Sequence, residues 1–351
     1  MPPEMAAQDD LFGLPEPEDK PPPRPGKTEP PASGDGSLQP ADVGDELTGV
    51  AQGLAARYGD LLRMGTSSWN FPGWHGLVWG REYAESTLSR RGLTAYSRHP
   101  LLRTVSLDRS FYRPMAAAEY AALAAQVGPG FRFVVKAPAM VTDATVREAG
   151  SGKAMEPNPL FLDPPSTLDS CLRPAVQGLG ATLGVLVFQL SPLPPRWLNR
   201  PAELLERLDA LWSALLPELP EQALLALEVR DAQLLTPELA HLLKRHGVRY
   251  CLGLHDRMPT VAEQLPMLRA MWPGALVCRW NLQRGFRYQQ AKDLFEPFDK
   301  LAAPDPANRA ELARVIAATA AAGHPVFVTV NNKAEGSAPL SIFELARQLA
   351  A

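Results

Sequence analysis

Cysteine is scarce in this chain, and long apolar runs are missing. Three cysteines, Cys171, Cys251 and Cys278, occur in 351 residues, far apart and in no zinc-ligand spacing. Cys251 and Cys278 fall inside short apolar runs, where a reduced thiol serves as a small hydrophobe, which argues against a redox role. No apolar stretch approaches the length needed to span a bilayer. The first residues, MPPEMAAQDDLFG, lack the basic-then-apolar order of a secretory signal. The expectation is a cytoplasmic protein without membrane contact. Strong net charge is missing too, at -3. That value conceals an asymmetry. Residues 1–50 hold eleven Asp or Glu against three Lys or Arg, a net of -8, which leaves +5 on residues 51–351. A mildly basic body suits an anionic ligand, while +5 is too small to diagnose nucleic-acid binding.

What is present is a 46% hydrophobic composition, enough for a sizeable core. Residues 1–45 are rich in Pro, Gly, Asp and Glu, as in PEPEDKPPPRPGKTEPPASGDG. Such a segment cannot bury enough apolar surface to offset its ordering entropy, so it reads as a disordered acidic tail. The tail is expected to act as a solubilising extension, to fold over a basic site, or to recruit a protein partner. Residues 46–351 read as one domain.

Within that domain eight apolar runs follow one another, at 61–66, 102–108, 131–136, 183–190, 223–229, 248–254, 275–281 and 325–331. They are nearly continuous in apolar residues, as parallel strands covered on both faces should be. Helical spacing lies between most of them. The pattern predicts an α/β fold, a (β/α)8 barrel of the TIM type, whose site is built at the carboxyl ends of the strands. An aromatic loop, GTSSWNFPGWHGLVWG, follows the first strand; most of its rings read as core, with Trp69 kept as a site candidate. The stretch 138–160 reads as an inserted loop, and LQRGFRYQQAKDLFEPFDKL after the seventh strand as irregular.

Most of the runs end in polar side chains. Glu228 and Arg230 are two apart, so they share one face of the fifth strand. They are either a self-neutralising buried pair, or a general base and an anion clamp. Lys136 closes the third strand before Ala137-Pro138, where a lysine needs an acid such as Asp108 or a ligand. Arg279 ends the seventh strand similarly, and Lys136, Arg230 and Arg279 together would make a cationic floor. Gln189, Asn331 and Asn332 end other strands as polar ligand contacts, and Tyr112 offers a stacking face. Gly336 and Ser337, leading into the last helix, form a candidate phosphate turn. Glu228, His255 and Asp256 are the candidates for a divalent metal, although their spacing is no recognised motif.

Six segments in order carry a resemblance: GTSSWNFPGWHGLVW, VSLDRSFYRP, FRFVVKAP, LGVLVFQLSPLPP, LALEVRD and FVTVNNKAEGSAP. Over residues 61–350 the chain resembles the YecE-like family, known as domain of unknown function 72. The resemblance implies a barrel of the triosephosphate-isomerase type and supplies no established activity. It maps family positions onto Gly65, Thr66, Trp69, Trp74, Phe111, Tyr112, Lys136, Gln189, Glu228, Arg230, Asn331 and Asn332. Relatives usually read Glu-x-Asn where this chain has Ser106 and Asp108. They carry a histidine where Asp231 stands, and often Arg-x-His-Gly where Arg279, Trp280, Asn281 and Leu282 occur. Missing acid and imidazole positions imply altered or lost chemistry. The expected function is binding of an anionic ligand, a phosphorylated sugar or nucleic-acid fragment, at the barrel mouth, with Glu228 as base if a hydrolytic reaction occurs. A non-catalytic interaction module and a metal-dependent hydrolase or isomerase are the alternatives.

Overall fold

The computed structural model describes residues 38–147 and 154–351. Ten strands are present among them: β1 Leu62–Thr66, β2 Leu102–Leu107, β3 Arg132–Lys136, β4 Thr145–Arg147, β5 Ala154–Pro157, β6 Leu183–Gln189, β7 Leu224–Glu228, β8 Arg249–Leu254, β9 Leu276–Trp280 and β10 Val326–Val330. Eight of them close a parallel barrel in the order β1-β10-β9-β8-β7-β6-β3-β2. Each barrel strand coincides within a residue or two with an apolar run of the sequence. The remaining two, β4 and β5, form an antiparallel hairpin inside the stretch expected to be loop.

Alternation along the strands divides the apolar residues into two cores. Outward residues such as Phe133, Leu186, Leu227, Leu252, Cys278 and Val328 join the large cluster under the helices. Inward residues Val134, Val185, Val187, Ala226, Cys251, Val277 and Phe327 form a separate cluster that fills the lumen. The lumen is thus packed rather than hollow. Two positions further along the same faces come Lys136, Gln189, Glu228, Gly253, Arg279 and Thr329, so the period of two that fills the lumen also delivers the polar ends to the mouth. Barrel closure also needs one close backbone approach. A Cβ built at Gly65 would lie 1.7 Å from the Thr104 carbonyl oxygen, where the β1–β2 register shifts.

The helices follow from local chemistry. Helix Pro237–His246 starts at Thr236, whose hydroxyl accepts from Leu239 N–H, with Pro237 in the first turn. It carries Lys244, Arg245 and His246 in its last turn and stops at Gly247, φ +68°. Its buried Leu239, Leu242 and Leu243 each contribute about 1.5–3 kcal/mol by leaving water.

Between β1 and β2 two short helices, Glu85–Arg91 and Leu93–Tyr96, meet at Gly92. Two expectations change. The stretch after β9 contains a helix, Tyr288–Phe295, whose Ala291 and Phe295 are buried one turn apart. Residues 38–45, assigned to the tail by composition, touch the body: Leu38 is buried, Ala41 N–H donates to Val78 O, and a helix begins at Gly44. The remainder of the expected tail, 1–37, lies outside the described residues, as do its proposed roles.

Candidate functional site

The carboxyl ends of the strands converge on Glu228, which is fully buried. Its Oε2 accepts from Arg279 Nη1 at 2.5 Å, and its Oε1 lies 2.7 Å from Arg230 Nη2 and accepts from Asn281 Nδ2 at 3.1 Å. Gln189 Oε1 accepts from Arg230 Nη2 at 2.9 Å and from Arg279 Nη1 at 3.2 Å. The second nitrogen of Arg279, Nη2, reaches Asp108 Oδ1 at 2.8 Å, and Ser106 Oγ donates to that oxygen at 2.7 Å. Four strands therefore share one ionic lattice, spanning β2, β6, β7 and β9. Burial pushes the Glu228 carboxyl up, but Arg230, Arg279 and Lys136 outweigh it and hold the group below the ordinary carboxylate range. Opposing desolvation, Asp108 and Glu228 raise Arg279.

This geometry corrects the sequence reading of two residues. Glu228 has both oxygens engaged, by two arginines and an amide, and the cations hold its carboxyl below the ordinary carboxylate range, which weakens it as a general base. Arg279 is 1% exposed and held by two carboxylates, so it braces the mouth rather than offering a clamp to a ligand. Arg230 is different. Its Nη2 is committed to Glu228 and Gln189, while Nε and Nη1 are buried without partners among the described residues.

Lys136 stands apart from the lattice. It is buried, and its Nζ lies 3.5 Å from the centre of the Phe111 ring. Among the described residues it forms neither an ion pair nor a hydrogen bond; the acid foreseen as its partner, Asp108, belongs to Arg279. Burial, then Arg279, push the Lys136 ammonium down to about 7, with Asp108 opposing. Phe111 was legible only through its pairing with Tyr112. Lys333, after β10, is a second buried cation held by rings: its Nζ sits 4.2 Å from the Tyr288 ring centre and 3.5 Å from Asn331 Oδ1. Burial, then Lys292, bring it down to about 8. Tyr288 escaped the sequence reading because its helix did.

The other candidates divide. Tyr112 stands at the rim, 51% exposed. Asn331 bridges β10 to the β1 end by donating from Nδ2 to Ser67 Oγ at 2.7 Å. Asn332 turns away from the mouth: it is buried and its Oδ1 accepts from Ala338 N–H, the first residue of the last helix. Trp69 is core, 1% exposed, with its indole N–H donated to Leu88 O and the Arg109 guanidinium covering its ring. The candidate phosphate turn is closed, because a Cβ at Gly336 would lie 2.6 Å from Lys300 O and 2.5 Å from Ala302 N. His255 is half-buried, and burial, then Arg230, push its imidazole down to about 2, so it stays neutral. Its Nδ1 accepts from Arg257 N–H, which puts the ring proton on Nε2. Asp256 is exposed and accepts from Gly285 N–H at 2.8 Å. Glu228, His255 and Asp256 do not converge, and among the described residues no three His, Cys, Asp or Glu side chains are placed to hold a metal ion.

A pocket of about 220 Å³ lies outside the barrel, between β6–β7 and the helices Pro201–Leu215 and Pro237–His246. Its walls are aliphatic, among them Leu190, Leu204, Leu227 and Leu239, with no ionisable group, so it carries none of this chemistry.

The family model described as "Protein of unknown function DUF72" matches residues 63–351. In fold the chain is similar to a DUF72 family protein from Thermotoga maritima MSB8, at 17% identity and TM-score 0.56, over 82% of this chain and 99% of that one. It is likewise similar to a DUF72 family protein from Enterococcus faecalis V583, at 15% identity and TM-score 0.55, over 82% and 95%. At such identities the likeness shows the fold alone. No curated protein matches the chain.

Proposed function

The chain belongs to the DUF72 family of proteins of unknown function, and from the mouth of its barrel we propose that it binds a small anionic ligand there, of the phosphorylated-sugar class. The observation that carries this reading is Lys136, a buried ammonium without a counter-charge among the described residues. Lys136, Arg230 and Arg279, with Lys333 beyond them, face two carboxylates, Asp108 and Glu228, and both carboxylates are already bonded to arginine. Among the described residues the two lysines have no carboxylate partner. A buried charge without a partner is costly, and an anion that reaches it replaces lost hydration with a short-range attraction in a poorly screened site. Arg230 adds two N–H groups, Nε and Nη1, without partners among the described residues; they lie on opposite sides of its guanidinium, so each can donate singly to the anion. Tyr112 at the rim and Asn331 supply neutral contacts for the rest of the ligand. The lattice of Glu228, Arg279, Gln189 and Asp108 acts as the scaffold that fixes Arg230.

A nucleic-acid fragment would present the same phosphate. So small an excess of positive charge favours a small ligand, since tracking a polynucleotide backbone takes a stripe of cations and gives a steep salt dependence. Thermal shift and titration calorimetry with inorganic phosphate, a hexose phosphate and a short single-stranded oligonucleotide separate these cases. The phosphates should raise Tm, and the Lys136→Met variant should lose that rise while remaining folded. Affinity should fall as pH climbs through about 7, where Lys136 sheds its proton, and binding near that pH should be accompanied by proton uptake. Absence of stabilisation by any of the three anions would sink the proposal.

A further inference from the structure

We propose that Lys136 is a carbonyl-capturing amine, which condenses with an aldehyde or ketone bearing an anionic group and forms an imine at the barrel mouth. This rests on the anion-binding reading above, because the anionic arm is what delivers the carbonyl carbon to Nζ.

The geometry distinguishes Lys136 from the arginines around it. A lysine fixed in a salt bridge keeps its proton, and its lone pair is unavailable. Here Nζ meets the face of Phe111 and, among the described residues, no acceptor. The side chain leaves β3 on the face shared with Val134, so it rises from the packed lumen into the mouth. The groups around it come from four other strand ends: Asp108 after β2, Glu228 and Arg230 at β7, His255 after β8 and Arg279 on β9. The two acids are bound to arginine, which leaves repulsion from Arg279 and Arg230 and the loss of hydration to favour the free amine. With the amine at about 7, roughly half is neutral at pH 7, against a few in ten thousand for an exposed lysine. Arg230, with Nε and Nη1 unpartnered, supplies the partner for the anionic arm. Neutral His255, its proton on Nε2, supplies a hydrogen bond to the oxygen that leaves.

The step balances without a further reactant. The Nζ lone pair forms a C–N bond as the carbonyl π pair moves onto oxygen. One amine hydrogen passes to that oxygen to give the carbinolamine. The C–O bond then breaks, the second amine hydrogen joins the departing hydroxyl, and water leaves a C=N bond.

Glyoxylate, the smallest aldehyde carrying a carboxylate, is a suitable probe. The full chain is incubated with glyoxylate and sodium cyanoborohydride, which reduces an imine to a stable secondary amine, and the modified lysines are mapped by peptide mass spectrometry. Lys136 should be labelled at least about tenfold faster than the exposed Lys292 and Lys300. Its labelling should quicken between pH 6 and 8, slow when inorganic phosphate competes, and show no such advantage with acetaldehyde, which has no anionic arm. The Lys136→Arg variant should lose the label. Phosphate binding with Lys136 labelled no faster than Lys300 overturns the imine and leaves anion binding intact. Fast labelling that acetaldehyde matches and phosphate does not slow overturns the anionic arm, and neither labelling nor phosphate binding overturns both.

Discussion

Lys136 and Glu228 are both buried ionisable groups at the barrel mouth, and they affect stability in opposite directions. Glu228 is compensated on both oxygens, so removing it leaves Arg230 and Arg279 facing one another without their shared anion. Glu228→Ala should therefore cost about 3–5 kcal/mol, read as a fall in the urea midpoint. Lys136 is uncompensated, and its removal should help. Its amine titrates at about 7 when folded, below its value of 10.5 when unperturbed. Between those values the unfolded chain holds the proton and the folded chain does not, so stability rises with pH across that window. Below about 7 both states are charged and the full cost of burial remains. Lys136→Met should exceed the wild type at pH 6 by on the order of a few kcal/mol, with the gap closing towards pH 10. A variant no more stable than wild type at pH 6 would mean that Nζ is better solvated than its burial implies.

At the scale of elements, the strands were legible because each is a short apolar run buried on both faces, a pattern few other elements produce. The helix Tyr288–Phe295 was not, since only Ala291 and Phe295 commit it to the core and the flanking Gly285 and Pro297 read as loop. The hairpin β4–β5 was hidden for a similar reason: three- and four-residue strands carry too little periodicity to register. Gly65 shows a constraint that one strand cannot reveal about itself, because the atom it must avoid belongs to β2. Gly65→Ala would place a methyl group 1.7 Å from the Thr104 carbonyl oxygen and force β1 and β2 apart. The expected result is a loss of stability of at least about 2 kcal/mol, with early amide exchange in β1 and β2. Unchanged exchange there would show that the barrel absorbs the shift.

Over the whole molecule, charge is segregated. Residues 1–37 hold eight acidic and three basic residues, against a mouth whose Lys136 has no carboxylate partner among the described residues. An acidic chain tethered to that body competes with a free anion by electrostatics, whatever conformation it adopts. Deleting residues 1–37 should leave the thermal midpoint of the barrel nearly unchanged and tighten phosphate binding at low salt, with the gain fading at high salt. Equal affinities in both forms at low ionic strength would remove the tail from any role at the site.

The sequence by itself determined the barrel and the boundaries of its strands, since each follows from local periodicity, and counting in twos along a strand placed Lys136, Gln189, Glu228 and Arg279 on one face, while Trp69 and Asn332 turned out to be committed elsewhere. It also offered two readings of Glu228 and Arg230, as a buried pair or as a base with a clamp. Only the tertiary structure decided between them, because the decision depends on which cation reaches which carboxylate across the barrel. Arg279 from β9 takes Asp108 and half of Glu228, Arg230 takes the other half, and Lys136, although it stands among them, is left with the face of Phe111. Pairing of charges between distant strands is set by distance and burial, and neither is written in the order of residues along any one strand.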